Sequence, residues 1–187
     1  MQNKARDNRR VVKSRLAMKM AVIAVIGFFL SSVQPVVSVS QENEEISAPN
    51  ELNLVLEGNR LKIDLRLTGA ETVGFVNAPL SRDEKSTVDD ALHQLGDVRR
   101  LFAFPQVAGC AIDYFETAAD TGPMSEENLT LRANYRFRCN SPRSLTRLKL
   151  LCFEKFEDLS AMKASLKGHW GEITTLVTPA NPLLQFK

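Results

Sequence analysis

From Leu129 to Cys139 apolar and polar positions alternate without a break. Leu129, Leu131, Ala133, Tyr135, Phe137 and Cys139 share one face; Thr130, Arg132, Asn134, Arg136 and Arg138 share the other. A period of two residues is that of a strand with one buried side. Leu52, Leu54 and Leu56, then Leu61, Ile63, Leu65 and Leu67, repeat the pattern around Gly58-Asn59, which predicts a hairpin. The period then changes. Ser81 with Glu84 three residues on is a capping box, and Val88, Ala91, Leu92 and Leu95 form one helical stripe that Gly96 ends. Leu145 to Phe153 reads as a further strand, followed by a helical turn holding Phe156 and Leu159. Met162, Ala164 and Leu166 pair with Ile173, Thr175 and Val177 across Gly168-His169-Trp170-Gly171. The class this predicts is α+β: a mainly antiparallel sheet of hairpins with one amphipathic helix packed on it.

Residues 1–40 carry a different pattern. Seven cationic side chains, the last of them Lys19, precede the apolar run Met20 to Leu30, and small residues close the stretch at Ser38-Val39-Ser40. Basic, apolar and then small is the layout of a secretory signal peptide cleaved after Ser40. The alternative is a retained anchor, because Met20 to Val39 is about long enough to span a bilayer. Ser31, Ser32, Gln34 and Pro35 dilute its second half. The domain plan is then a signal peptide over 1–40, a flexible linker over 41–50 and a single α+β domain over 51–187. Export puts the product where thiols oxidise.

The leader also changes the charge. The whole chain has 24 Lys+Arg and 22 Asp+Glu; residues 1–40 hold seven and one of these, leaving 17 and 21, a net of −4. The basic pI therefore belongs to the leader and argues for no nucleic-acid partner. Contact with a membrane is expected only through the leader, if uncleaved.

An exported chain with three cysteines invites one pairing. Setting Cys110 opposite Cys139 on antiparallel strands also sets Ile112 against Phe137 and Tyr114 against Tyr135, so one register joins the sulfurs and stacks the apolar residues. A Cys110–Cys139 disulfide is expected. Cys152, in phase with Leu148 and Leu150, is left as a buried free thiol, with an intermolecular bond or a reactive thiol as alternatives.

Enzyme motifs are missing: no G-x-S-x-G elbow, no phosphate-binding glycine loop, no H-E-x-x-H. The chain reads as a non-enzyme, with an unrecognised carboxylate site as the alternative from another class. It has only two histidines. His93 lies on the polar helix face with Asp89 and Asp90, and Asp89 and His93 are i,i+4 neighbours, the geometry of half a metal site. The bland reading is a solvated helix face. His169 sits beside Trp170 in a turn. Arg132, Arg136 and Arg138 make a cationic row that suits an anion or partner, or is an ordinary exposed face.

Four segments carry a resemblance: Glu51-Leu-Asn-Leu-Val-Leu-Glu-Gly58, Gly74-Phe-Val-Asn-Ala-Pro79, Arg100-Leu-Phe-Ala-Phe-Pro105 with Ala108-Gly-Cys110, and Tyr135-Arg-Phe-Arg-Cys139. Together they resemble a bacterial periplasmic family of unassigned biochemical function that includes the zinc-regulated, zinc-binding protein ZrgA. The resemblance implies a role in zinc acquisition, with a metal-uptake transporter or another envelope protein as partner. It also implies ligands at three places: histidines just before the first strand, Gly-Phe-Glu-His-Ala-Pro in the second segment, and a long histidine-rich insertion between the cysteine-bearing strands. Here those places read Ser47-Ala-Pro-Asn50, Val76-Asn77 and the short loop Ala119 to Asn128 with Asp120, Glu126 and Glu127. Imidazole suits zinc, whereas carboxylates favour harder ions. The expectation is a scaffold that has lost its metal-binding loop and binds zinc weakly or not at all.

Overall fold

The structure, a computed structural model, describes residues 49–121 and 128–186. The signal peptide and nearly all of the linker lie outside the described residues. β1 (Asn50–Glu57) and β2 (Arg60–Thr68) form the expected hairpin, closed by Gly58-Asn59 with Gly58 at φ 61. That left-handed conformation is one glycine adopts without steric cost. A single helical turn, α1 (Gly69–Thr72), leads towards α2 (Arg82–Gly96). In α2 the Ser81 hydroxyl accepts from the Glu84 N–H while the Glu84 carboxylate accepts from the Ser81 N–H, completing the capping box. Val88, Ala91 and Leu95 are buried, as the stripe requires.

The remaining strands are β3 (Phe102–Ala103), β4 (Cys110–Asp120), β5 (Thr130–Cys139), β6 (Arg147–Leu150), β7 (Met162–Gly168), β8 (Gly171–Val177) and β9 (Leu183–Gln185). Six of them form one sheet in the order β4-β5-β2-β1-β7-β8, and β3-β6-β9 form a second. Neighbours are antiparallel except β1 and β7, which run parallel. The fold class is α+β with the sheets dominant.

One face of the large sheet is dry. The alternating residues of β1, β2, β5 and β7 point inward, and α2 and the small sheet cover them in one continuous core. Phe102 stands edge-on to Tyr135 at 5.2 Å, Phe104 edge-on to Phe137 at 4.8 Å, and Phe186 stacks on Trp170 at 4.6 Å. Aromatic pairs in these geometries add to plain area burial. The other face meets solvent, as antiparallel sheets allow.

Three expectations shift. The strand over Leu145 to Phe153 is shorter, Arg147–Leu150, and joins the small sheet; Cys152 opens a 3-10 turn, Cys152–Glu154, and is fully buried. The Cys110↔Cys139 and Ile112↔Phe137 pairs are as expected, but Tyr114 faces Arg136, and it is Phe115 that faces Tyr135. The cause is a bulge between Ile112 and Tyr114, where one extra residue reverses the phase of the strand. β1 begins at Asn50, at the boundary between linker and domain, and Asn50 is buried completely.

Asn50 is the only buried polar residue among those described, and every polar atom of its amide is used. Its Nδ2 donates to Glu71 Oε2 at 2.8 Å and to the Ala161 carbonyl at 3.0 Å, while its Oδ1 accepts from the Thr68 N–H at 2.9 Å. Glu71 also accepts from the Ser160 N–H at 3.0 Å and hydroxyl at 2.9 Å. Partial burial works to raise the Glu71 pKa, yet the bonds from Ser160 and Asn50 outweigh it and hold the carboxyl below its usual 4.5. Its stabilising effect is therefore full above that value and lost as pH falls through its own lower one. Asn50→Ala strands a buried N–H and carbonyl and is expected to cost about 2 kcal/mol in urea unfolding. Glu71→Gln should flatten the acid limb of the stability profile below pH 4.5; an unchanged limb would show that the carboxylate plays no such part.

Candidate functional site

Described residues from each of the three places where ligands are expected lie at one end of the large sheet. β1 starts there with Asn50, whose amide holds Thr68 at the end of β2. Thr68 pairs with Thr130 at the start of β5. One residue on, the Gly69 N–H donates to the Leu129 carbonyl at 2.7 Å, and the Leu129 N–H donates to the Val76 carbonyl. A Cβ on Gly69 would lie 2.6 Å from the Phe75 carbonyl oxygen, so this approach requires glycine. Asn50 at the start of β1, Val76 and Leu129 just before β5 are thus tied together through Thr68 and Gly69, by one side-chain bond and two backbone bonds. Residues 122–127 at the tip of the β4–β5 ribbon, with Glu126 and Glu127, lie outside the described residues.

The Cys110–Cys139 disulfide clamps the opposite end of the ribbon. Gly109, at φ 57, turns the chain into β4 there, and Asn140 and Ser141 return N–H groups to the Gly109 and Ala108 carbonyls. The staple fixes the base of the ribbon. The described residues at the tip end are polar or exposed. Asn50 and Glu71 are consumed by the network around Ser160, Asp120 pairs with Arg132, and Val76 and Asn77 are exposed.

His93 and Asp89 line a groove of about 700 Å³ between α2 and β4, with Leu92, Gly96, Asp97, Phe115 and Thr117. Asp90 is exposed outside that lining, and Asp97 stands in its place, paired with Arg100 at 3.0 Å. The groove exists because the β4 bulge turns Phe115 towards the helix, where its ring would sit 3.2 Å from a Cβ on Gly96. His169 stands edge-on to Trp170 in the β7–β8 turn, on a different element from His93. Among the described residues no group of three or more His, Cys, Asp or Glu comes together in a metal-binding arrangement.

Among the described residues two carboxylates have shifted titration, and both go down: Glu71 as above, and Glu84 through the backbone N–H groups of Ser81 and Leu80. A general acid needs the opposite direction. Burial raises the Tyr135 phenol, whose hydroxyl donates to the Leu95 carbonyl at 2.8 Å. It pushes the Cys152 thiol up to about 12, which suppresses thiolate chemistry. No helix among the described residues is long and apolar enough to cross a membrane.

Sequence reasoning missed two features. Nothing in the local pattern of Asn50, Glu71 and Ser160 shows that they meet. The basic residues Arg60, Lys62 and Arg66 of β2 were visible as its polar alternation, but only the β2–β5 register sets them beside Arg138, Arg136 and Arg132. Two comparisons bear on identity. Residues 48–186 match the family model described as ZrgA family zinc uptake protein. No curated protein matches the chain.

Proposed function

The chain belongs to the ZrgA family of zinc uptake proteins, and from that premise we propose that it is an exported periplasmic accessory protein whose zinc site has been stripped to an interaction scaffold. The observation that carries this is the fate of the three converging segments. Where imidazoles would be needed, the described residues of these segments offer Asn50, whose amide is spent on Thr68, Glu71 and Ala161, exposed Val76 and Asn77, and Asp120, which pairs with Arg132. With two histidines in the whole chain, on separate elements, the donor set does not suit tight zinc capture. Zinc enters here as cargo of the family rather than as a resident cofactor. The signal-peptide layout and the disulfide support an oxidising compartment.

Isothermal titration of the purified protein with zinc is expected to show weak binding or none, with a dissociation constant no tighter than about 10 µM (roughly −7 kcal/mol). Stoichiometric submicromolar binding would sink the stripped-site reading.

A second reading keeps a residual zinc station in the α2–β4 groove, because Asp89, His93 and Asp97 line it together. There His93→Ala should abolish whatever weak binding is seen; unchanged affinity removes this reading.

A further inference from the structure

On the solvent face of the large sheet, β2 and β5 set like charge against like charge. Arg60 stands opposite Arg138, Lys62 opposite Arg136, and Arg66 opposite Arg132. All six side chains are exposed. Directly opposed like charges destabilise a strand pair, so stability alone gives no reason to stack three such pairs in register. The ladder has one break, where Asp64 faces Asn134.

The stripe is two strands wide and edged with acids. Glu51 and Glu57 border it on β1, and Asp113, Glu116 and Asp120 on β4. Three cations reach a carboxylate: Lys62 to Glu57 at 3.5 Å, Arg138 to Asp113 at 3.4 Å, and Arg132 to Asp120. Among the described residues no carboxylate lies within ion-pair distance of Arg60, Arg66 or Arg136, although Glu57 and Glu51 stand across from the first two on β1. Arg136 instead lies over the Tyr114 ring, 5.2 Å from its centroid.

We propose that this stripe docks an extended acidic segment of a partner protein, laid along the strand direction. Three observations select that occupant. A flat anionic bilayer would press its headgroups against the acidic margins as well as the cations, whereas a single chain fits between them. The cation pairs recur every second residue, about 6.8 Å, which is the same-face repeat of an extended peptide. The break at Asp64 repels one charge of a uniformly charged polymer such as a phosphodiester, while a peptide can place a neutral residue there. The matching segment carries acids at positions i, i+2 and i+6 and an uncharged residue at i+4. This inference names the kind of partner for the scaffold proposed above and rests on that reading.

Two fluorescein-labelled heptapeptides test it by anisotropy against the purified protein at low salt. One has Glu at positions 1, 3 and 7 with Asn at 5; the other has a fourth Glu at 5; Thr fills the rest. The first is expected to bind, to weaken with added salt, and to lose about fivefold or more with Arg66→Gln/Arg136→Gln. The fully acidic peptide should bind no tighter in spite of its extra charge, and Asp64→Asn should reverse that order. No binding, indifference to the double variant, or tighter binding of a single-stranded oligonucleotide or of anionic-lipid vesicles overturns the proposal. The zinc titration reads separately: tight zinc with peptide bound removes only the stripped-site reading, and weak zinc without peptide removes only the acidic partner.

Discussion

Replacing both Cys110 and Cys139 by serine is expected to lower the unfolding free energy by about 3.5 kcal/mol, the loop-entropy value for a link across 29 residues. For a domain of this size that corresponds to a melting point roughly 10 °C lower. The effect should be large because the staple holds the base of β4, an edge strand paired on one side only. Dithiothreitol added to the native protein should reproduce the shift, and the double variant should be insensitive to it. A loss below about 1 kcal/mol would mean that the β4–β5 ladder alone fixes the ribbon, and the entropic account would fail.

Tyr135→Ala should cost about as much, on the order of 4 kcal/mol, through the cavity it leaves. Tyr135 is 1% exposed, and Phe102, Phe137 and Phe115 surround or oppose it from three elements. Tyr135→Phe keeps the ring and removes the hydroxyl that caps the Leu95 carbonyl at the end of α2. That change is expected to cost about 1–2 kcal/mol, the penalty of a buried carbonyl without its donor. Denaturant midpoints of the two variants separate packing from hydrogen bonding. Equal losses would show that the hydroxyl, and not the ring, ties the helix to the sheet.

Where a pattern was local, the sequence carried it. The β1–β2 and β7–β8 hairpins, the capping box of α2 and the cysteine pair each depend on residues close in the chain or on a strict period. β3 and β9, at two and three residues, are too short for any period to register. The phase of β4 was misread at Tyr114 because Tyr114 and Phe115 are adjacent aromatics, and alternation cannot say which faces the core once a bulge intervenes. At the site, the scarcity of histidine was legible in the sequence. The meeting of Asn50, Val76 and Leu129 was not, because it depends on tertiary bonds between segments that share no periodicity.

The parallel pairing of β1 with β7 carries a consequence for timing. The first strand of the domain lies inside the sheet, and one flank is supplied by residues 162–167, near the far end of the chain. Until those residues arrive, β1 presents an unclosed hydrogen-bonding edge, and the slow, sequence-distant closure that completes it must wait. A polypeptide built this way cannot finish its large sheet before β7 and β8 are available to dock against its first strand.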